Sequence, residues 1–418
     1  MSDRGSASPR AMSAGASGID RLVVVGASLA GMRAVEAARA DGFDGEIVLI
    51  GDEEHLPYDR PPLSKQLLDE ALDVPWFHTE THYRDDLGVE LQLGAPAVGI
   101  DPERQEIITV DRAVPYDAAV IATGARPRAL PGISGLADVT TLRTVDDARR
   151  VRGALDEGRR LLIIGGGFIG AEVASAARRR SLPVTVIEAS PYPLERALGR
   201  EMGKALSAMH ARSGVDLRIG TSVVELERHG DEIVAAMLSD RSTVACDFVL
   251  VSVGAIPNTA WLRESGVALA PDGGVVCDRF LESSLPGVYA AGDIAYFPNS
   301  VTGRHGRIEH WTSANEQGAL AARNAVGHEK REYSTVPYVW SDWYGNRIQF
   351  VGRISDQAPV VVSGAIDESR FIALYRDDDR VVGAVSVNEP GRIMKERRRI
   401  AQGASWSEAL AAHAAPAH

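Results

Sequence analysis

The sequence predicts an α/β protein built from two nested Rossmann-like dinucleotide-binding domains and a C-terminal α+β domain. Two observations predict this fold class. A unit of strand, glycine-rich turn, helix and strand occurs twice. From about Val336 the residue pattern changes to short runs that are rich in strand-forming residues. The length of 418 residues is consistent with several domains, because one hydrophobic core rarely organises more than about 250–300 residues. We therefore expect two or three domains.

The first unit lies near the start of the chain. An apolar run at 21–25 is followed by a glycine-containing turn at 26–31, an Ala-rich helical stretch and a second strand at 46–50. Ser28 stands where the middle glycine of such turns is usual, and serine is small enough to leave room for a pyrophosphate. Asp52, after the second strand, is the predicted ribose acceptor, although a simple turn aspartate is the commoner role of such residues.

The second unit has glycines at Gly165, Gly167 and Gly170. The first permits the tight turn, the second lets the backbone approach a pyrophosphate, and the third packs helix on strand. Glu188, which ends the next strand, is placed to accept hydrogen bonds from a ribose diol and to repel a 2′-phosphate, so the pattern favours NADH over NADPH. Arg196 is a nearby cation that either contacts the dinucleotide phosphate or weakens this preference. A glycine-rich turn without a ligand is the alternative.

Apolar strands that run into glycine turns mark the crossings between the two units. One crossing lies at 116–124 and another at 248–258, and a later apolar run at 287–293 is placed to complete the first sheet. The second unit is therefore expected to be inserted into the first. The predicted boundaries are a disordered leader at 1–19, a discontinuous first domain at 20–122 and 257–333, a second domain at 123–256, and an α+β domain at 334–418.

Composition and charge exclude several classes of protein. The net charge of −12 argues against a protein that holds nucleic acid by its overall field. The chain offers no run of about 18 apolar residues and no signal peptide, so we expect a soluble, cytoplasmic protein that does not span a membrane. Cys246 and Cys277 form no C-x-x-C pair and the ten histidines show no metal spacing, so no disulfide framework and no metal site are indicated.

A proline-rich loop at residues 55–65, with the sequence HLPYDRPPLSK, follows the second strand. Proline withholds a backbone donor and fixes φ, so the loop cannot be the interior of a helix or a central strand. Two cations, Arg60 and Lys65, are thus held on a stiff segment. A proline-stiffened surface turn is the alternative interpretation.

Five motifs together resemble the oxygenase-coupled NADH:ferredoxin reductases, the putidaredoxin reductase-like family of the FAD-dependent pyridine nucleotide-disulfide oxidoreductase superfamily. They are LPYDRPPLSK, LIIGGGFIGAEVA, IATGARPRALPG, VYAAGDIA and RIEHWTSANEQG. The resemblance covers about residues 20–400 and implies a glutathione reductase-like fold. Related disulfide reductases carry redox-active cysteines where this chain has Leu63-Ser64-Lys65, so thiol relay chemistry is not expected.

The resemblance implies that the first domain binds FAD and the second binds NADH. The proline-rich loop then lies along FAD, with Arg60 on the pyrophosphate side and Lys65 beside the isoalloxazine. The implied FAD contacts are Gly26, Ser28, Ala30, Gly31, Asp52, Arg60, Lys65, Ala97, Thr123, Gly124, Arg143, Gly292, Asp293, Glu309, His310, Trp311 and Trp340. The implied NADH contacts are Gly165, Gly167, Phe168, Ile169, Gly170, Glu172, Glu188, Arg196 and Gly254.

Lys65 and Glu172 are the candidate catalytic residues, because the resemblance places both in the flavin and nicotinamide environment, where they are hypothesised to pair. Trp340 is implied to lie close to the two rings, whereas Trp343 is expected to pack in the core. A capping box at 313–316 is predicted to open an Ala-rich helix, whose dipole would stabilise negative charge on the flavin if its start points there. An ordinary capped helix is the alternative.

The implied function is hydride transfer from NADH to N5 of FAD, followed by single electrons to a ferredoxin that serves a haem-thiolate monooxygenase or a ring-hydroxylating dioxygenase. A 2Fe-2S ferredoxin is favoured over other cluster types. A basic run is a candidate docking surface, with a solvated helix face as the alternative, and comprises Lys395, Arg397, Arg398 and Arg399. A rubredoxin reductase, an NADH oxidase, or a redox-sensing flavoprotein resembling apoptosis-inducing factor are the alternative functions.

Overall fold

The computed structural model describes residues 18–69 and 73–414, so the leader expected at 1–19 lies outside the described residues except for its last two positions. The first part of the chain begins with a strand, a helix and a second strand, as the glycine turn predicts. Its elements are β1 (Arg21–Val25), α1 (Leu29–Ala40), β2 (Glu46–Ile50), α2 (Gln66–Asp69), β3 (Val89–Gln92), β4 (Ala97–Asp101), β5 (Glu106–Thr109), β6 (Ala113–Pro115), β7 (Ala118–Ile121) and β8 (Ala125–Pro127).

The middle of the chain repeats the alternation of strands and helices. Its elements are β9 (Val139–Thr140), α3 (Val145–Asp156), β10 (Leu161–Ile164), α4 (Phe168–Arg179), β11 (Val184–Glu188), α5 (Glu195–Leu198), α6 (Arg200–Arg212), β12 (Asp216–Ile219), β13 (Val223–His229), β14 (Glu232–Leu238), β15 (Thr243–Ala245), β16 (Phe248–Val251) and β17 (Ala255–Pro257).

The last part of the chain is rich in strands. Its elements are β18 (Val275–Val276), β19 (Val288–Ala290), β20 (Ala295–Asn299), β21 (Arg304–Gly306), α7 (Trp311–Val326), β22 (Tyr338–Trp343), β23 (Asn346–Gly352), β24 (Val360–Ala365), β25 (Arg370–Asp377), β26 (Arg380–Val387), α8 (Pro390–Ala401) and α9 (Trp406–Ala414). Within the described ranges, none of the helices combines the length and hydropathy needed to cross a membrane.

The first sheet is parallel, with the order β19-β7-β1-β2-β3. Its central strand, β1, is buried apart from its first residue, and helices α1 and α7 pack together beside it. Continuous apolar strands of this kind are expected where both faces of a parallel sheet are covered. Strand β19 pairs with β7, so a segment from late in the chain completes a sheet that begins near its start.

The second sheet is also parallel and has the order β12-β11-β10-β16-β9. It is formed by the chain between β7 and β19, which makes the second nucleotide fold an insertion in the first. The predicted α/β class with two nested folds is confirmed. The domain boundaries given above stay a prediction.

The C-terminal sheet is antiparallel, with the order β22-β23-β26-β25-β24, and α8 packs on it. This sheet packs against the second nucleotide fold. Trp343 is fully buried in a cluster with Leu198 and Met202, and the Tyr375 hydroxyl donates to the carbonyl of Leu198 at 2.6 Å. The strand β22 is thereby fixed at the edge of the cavity described below.

The capping box predicted at 313–316 is wrong. Helix α7 begins at Trp311 with His310 as its N-cap residue, and within the described ranges the side chain of His310 makes no capping bond. Ser313 lies inside the first turn and is buried, while the Glu316 carboxylate accepts from the Tyr333 hydroxyl at 3.1 Å. A serine three residues before a glutamate has the same spacing inside a helix as at its start, so the spacing alone does not locate the cap.

Candidate functional site

A cavity of about 730 Å³ lies between the two nucleotide folds and the C-terminal sheet. Its volume lies in the range of sites that hold a small molecule or cofactor. The predicted site residues that line it are Gly26, Ser28, Ala30, Asp52, Arg60, Lys65, Ala97, Thr123, Gly124, Arg143, Gly167, Phe168, Ile169, Glu172, Gly254, Gly292, Asp293, Glu309, His310, Trp311 and Trp340. Five predicted residues lie outside this lining, namely Gly31, Gly165, Gly170, Glu188 and Arg196.

One end of the cavity is formed by the turn between β1 and α1. Gly26 has φ of +122°, and a Cβ there would lie 2.2 Å from the Ala122 carbonyl oxygen, so only glycine fits. Ser28 is the N-cap residue of α1, and its hydroxyl accepts from Nε of Arg60 at 3.1 Å. A helix N-terminus with an adjacent guanidinium is an arrangement that binds phosphate.

The proline-rich loop holds Arg60 in place with several partners. Its Nη2 lies 2.8 Å from Oε1 of Glu53, and its Nη1 donates to the Arg143 carbonyl. The same Glu53 carboxylate accepts from the Tyr58 hydroxyl at 2.6 Å, and Tyr58 in turn accepts from the backbone N–H of Val145 at 3.1 Å. The cation is therefore oriented towards the cavity before any ligand binds, which lowers the ordering cost of binding.

A second ion pair lies farther along the cavity wall. Arg143 Nη2 is 3.0 Å from Oδ2 of Asp293, and the Asp293 carbonyl accepts from Arg307 at 2.7 Å. Arg307 also pairs with Asp272 at 2.8 Å and with Glu309. The sequence did not indicate Arg307, which ties together the two loops that present Asp293 and Glu309 to the cavity.

The far end of the cavity is formed by the start of α7. Burial lowers the pKa of His310 to about 4, and its Nδ1 finds no hydrogen-bond partner among the residues that the structure describes. The indole N–H of Trp311 donates to Asp59 of the proline-rich loop at 2.7 Å, and burial raises the pKa of that carboxyl. A neutral imidazole with an unsatisfied nitrogen, placed at a helix N-terminus, suits a ligand that has polar groups of its own.

Lys65 and Glu172 meet in the wall of the cavity. Lys65 Nζ lies 2.8 Å from Oε1 of Glu172, whose side chain is 5% exposed. The carboxylate also accepts from the hydroxyls of Ser64 and Ser341 and from the backbone N–H of Asp342 at 3.3 Å. Because a buried polar group is tolerated only when it is paired and hydrogen-bonded, the lysine and these donors compensate for the burial of the Glu172 carboxyl group.

The network extends into the interface between the C-terminal sheet and the second nucleotide fold. The indole N–H of Trp343 donates to Ser341 at 2.9 Å, and the Trp343 ring packs against His210 with centroids 5.3 Å apart. The Tyr344 hydroxyl lies 2.7 Å from Nδ1 of His210, and the backbone N–H of Tyr344 donates to Ser175 at 3.0 Å. Trp343 is thus a core residue, as expected, and it also orients a hydroxyl that binds Glu172.

Stability is expected to fall between pH 6.5 and pH 4 because of His210. This residue is fully buried, and burial lowers its pKa from 6.5 to about 4. Below pH 6.5 the imidazole of this histidine binds a proton in the unfolded chain but not in the folded protein. The free energy of unfolding therefore falls by up to about 1.4 kcal/mol per pH unit. Denaturant titrations at pH 7, 6 and 5 measure this slope. His210→Gln should reduce this slope and leave the part contributed by His310, whose pKa burial also lowers to about 4, whereas His229→Gln, at an exposed position, should not reduce it. Equal slopes in all three proteins would contradict the assignment to His210.

The second glycine turn presents Glu188 as an acceptor that is already oriented. Gly165 has φ of +106°, and a Cβ there would lie 2.1 Å from the Ser252 carbonyl oxygen. The Glu188 carboxylate accepts from the backbone N–H groups of Gly166 at 2.9 Å and Ser190 at 2.8 Å. Arg196 is exposed on the short helix α5. The carboxylate therefore stands beside the turn expected to bind pyrophosphate.

The two cysteines lie away from the cavity lining. Cys246 and Cys277 are both buried and free, and burial raises the pKa of each thiol to about 12. Neither is a thiolate at neutral pH, so neither has the reactivity of a redox cysteine. In the described part of the chain, His, Cys, Asp and Glu side chains form no group that could hold a metal ion.

The basic run on α8 is not a uniformly exposed patch. Lys395 and Arg398 are exposed. Arg397 donates to the Val336 carbonyl at 3.0 Å and lies 3.4 Å from Glu316, while Arg399 pairs with the buried Glu396. Arg397 therefore connects α8 to the segment that precedes β22, and Arg399 pairs within α8.

Two family models match the chain. The model described as pyridine nucleotide-disulphide oxidoreductase matches residues 20–318, and the model described as reductase C-terminal matches residues 338–417. The ferredoxin–NAD(+) reductase component of the p-cumate 2,3-dioxygenase system from Pseudomonas putida is 36% identical over 392 residues, which cover 93% of this chain and 94% of that protein.

The chain is also similar to a human protein and to a solved structure. Human apoptosis-inducing factor 3 is 33% identical over 395 residues, or 94% of this chain, and the chain spans only 64% of its length. The crystal structure of the covalent putidaredoxin reductase–putidaredoxin complex has a TM-score of 0.87 and 32% identity, and the match covers 92% of this chain and 93% of that one.

Proposed function

Because the chain belongs to the pyridine nucleotide-disulphide oxidoreductase family, we propose that it is an FAD-dependent NADH:ferredoxin reductase. FAD held in this cavity would supply an acceptor for the hydride of NADH and a donor of single electrons to ferredoxin. The observation that carries the proposal is the Lys65–Glu172 pair in the wall of a cavity that both nucleotide folds line. The similarity to ferredoxin–NAD(+) reductase components over nearly the whole chain supports it.

The residues of the cavity fit FAD on two observations. At one end, the glycine turn before α1 and the oriented Arg60 offer backbone N–H groups and a cation for a pyrophosphate. At the other end, Nδ1 of His310 is buried without a partner in the described structure, and a bound flavin edge would supply one. We assign Arg143 and Asp293, which lie between these ends, to the middle of the cofactor.

Side chains near the Lys65–Glu172 pair would orient the reacting rings and exclude water. Trp340 stacks on Tyr338 with centroids 5.7 Å apart and meets Trp311 edge-on at 6.1 Å. Lys65 presents a positive charge to the cavity from a proline-stiffened loop, so its field acts without reorganisation during the reaction. Glu172 fixes the position of that ammonium group.

The proposal is tested by anaerobic stopped-flow mixing of the purified protein with NADH. A protein that binds FAD is yellow, and NADH is expected to bleach the flavin absorbance on the time scale of stopped-flow mixing. Material that is colourless, and that still fails to bind FAD after reconstitution, would overturn the proposal. Measuring cytochrome c reduction with and without an added ferredoxin separates a ferredoxin reductase from an NADH oxidase.

NADH is expected to bleach the flavin faster than NADPH, and Glu188→Gln is expected to narrow the ratio of the two rates at limiting coenzyme by at least about tenfold. The carboxylate accepts from the ribose diol and repels a 2′-phosphate, and a charged hydrogen bond is worth about 1.5–3 kcal/mol. Arg196→Gln is the matched control, because Arg196 is the nearby cation. A wild-type preference for NADPH, or a ratio that changes only in Arg196→Gln, would contradict the role of Glu188.

The proposed partner is an iron–sulfur ferredoxin, with the 2Fe-2S type as our first choice, that supplies a monooxygenase or a ring-hydroxylating dioxygenase. Lys395 and Arg398 are the exposed cations of α8 that we propose for docking to an acidic ferredoxin. The two free cysteines suit the cytoplasmic location that we also propose.

The similarity to apoptosis-inducing factor 3 favours a redox-sensing flavoprotein as the second candidate function. A change in sedimentation on adding NADH, together with slow flavin bleaching, would support that candidate over an electron-transfer enzyme.

A further inference from the structure

We propose that a smaller cavity behind the Lys65–Glu172 pair is the outlet for the proton that ferredoxin reduction leaves behind, an inference that rests on the proposed function. This outlet cavity has a volume of about 190 Å³. It is lined by Ser64, Lys65, Gln66, Asp69, Glu172, Arg179 and Asp342.

The outlet cavity and the large cavity share a wall. Ser64, Lys65 and Glu172 line both cavities. Lys65 Nζ and Glu172 Oε1 are 2.8 Å apart in that wall, and Ser64 donates to the same carboxylate. Since Glu172 is only 4% exposed, a proton that reaches it leaves through one of the two cavities.

The overall reaction requires such a proton to leave. NADH gives up a hydride, which carries two electrons and one hydrogen nucleus. Each ferredoxin takes up one electron, so two ferredoxins are reduced for each NADH that becomes NAD+. The hydrogen nucleus of the hydride is not transferred to ferredoxin, and it leaves the protein as one proton.

The outlet cavity is polar and meets the protein surface. Gln66, Asp69 and Arg179 are exposed, and Arg179 donates three hydrogen bonds to Asp69, at 2.9, 2.8 and 2.6 Å. The Asp342 side chain is 37% exposed, and its nearest cation is Arg347, at 3.7 Å. The volume is well above the roughly 10–15 Å³ that one water needs in a polar site. Asp342 is therefore the carboxylate available to receive a proton through water.

A relay across the shared wall moves one proton without a net change in the pair. Lys65 gives a proton to Glu172 and is recharged from the large cavity, and Glu172 gives its proton to water in the outlet cavity. Asp342 accepts that proton and releases it to solvent. Its backbone N–H donates to Glu172 Oε1 at 3.3 Å, and Asp342 and Glu172 both line the outlet cavity.

The test uses holoprotein reduced with NADH and then mixed with ferricyanide, a one-electron acceptor, in weakly buffered solution with a pH-indicator dye. In the wild type, proton release is expected to keep pace with the return of flavin absorbance. In Asp342→Asn it is expected to slow by at least about threefold. Asp342→Glu should restore it, and Asp367→Asn, at an exposed site on the same domain, should behave as the wild type.

One further readout and additional variants separate a proton route from a general structural effect. Infrared difference spectra recorded while the reduced holoprotein is reoxidised are expected to contain a transient carboxyl band that is missing in Asp342→Asn. Asp69→Asn, whose carboxylate is held by Arg179, should release the proton at the wild-type rate, and Asp342→Ser serves if Asp342→Asn does not fold. Proton release at the wild-type rate in the Asp342 variant overturns the outlet while the reductase function stands. Failure of NADH to bleach any of the proteins overturns both.

Discussion

Glu172→Ala is expected to slow hydride transfer from NADH by about a hundredfold and to destabilise the fold by about 3–5 kcal/mol. The substitution leaves the Lys65 ammonium, whose side chain is 15% exposed, without its anion. It also removes the acceptor for the Ser64 and Ser341 hydroxyls, which are buried. The ammonium then moves from its place in the cavity wall, and a displacement of about 1 Å near reacting groups costs about a hundredfold in rate.

The rate of flavin bleaching in anaerobic stopped-flow and the free energy of unfolding by denaturant measure these two effects separately. The two serines donate to different oxygens of Glu172, so Glu172→Gln keeps an acceptor for one serine and places an amide N–H group beside the other, without the charge. An intermediate loss of rate is therefore expected. Glu396→Ala is the matched control, because Glu396 is also buried and paired with an arginine but lies on α8. It should lose stability and keep the rate of bleaching. Unchanged hydride transfer in Glu172→Ala would count against a role for the pair.

The fold was predictable because its signals are local. Glycines with positive φ are needed where each first strand turns into its helix, and both Gly26 and Gly165 have a backbone carbonyl within 2.2 Å of the position that a Cβ would occupy. Buried β-branched runs before and after those turns give parallel strands. The same local signals indicated Glu188, because it ends the strand that follows the second turn.

The parts of the site that were not predictable depend on tertiary contacts. Ser341 and Glu172 are 169 residues apart in the chain, and only the packing of the C-terminal sheet on α4 brings them together. Arg307 joins two loops, and a lone arginine carries no local signature. The sequence also did not predict that Arg399 pairs with a buried Glu396. A run of charges on a helix does not reveal which face the tertiary fold buries.

Gly318→Ala is expected to destabilise the protein by about 2–3 kcal/mol and to yield material that retains less FAD. Gly318 lies in α7 where this helix crosses α1, and a Cβ there would lie 2.1 Å from the Ala30 carbonyl oxygen. Alanine in a helix gains about 1 kcal/mol over glycine, but backbone overlap of this size forces the helices apart by roughly 1 Å at a cost that exceeds the gain. Ala30 lines the large cavity, so the movement reaches the turn proposed for pyrophosphate.

Thermal unfolding and the ratio of flavin to protein absorbance after purification measure the two consequences. Gly391→Ala is the matched control, since Gly391 lies in α8 and a Cβ there would meet nothing within 4 Å. It should be neutral or gain up to about 1 kcal/mol from helix propensity. Because both variants add the same methyl group to a helix, a Gly318→Ala protein as stable and as yellow as Gly391→Ala would show that α1 and α7 do not need their close contact to hold the cofactor.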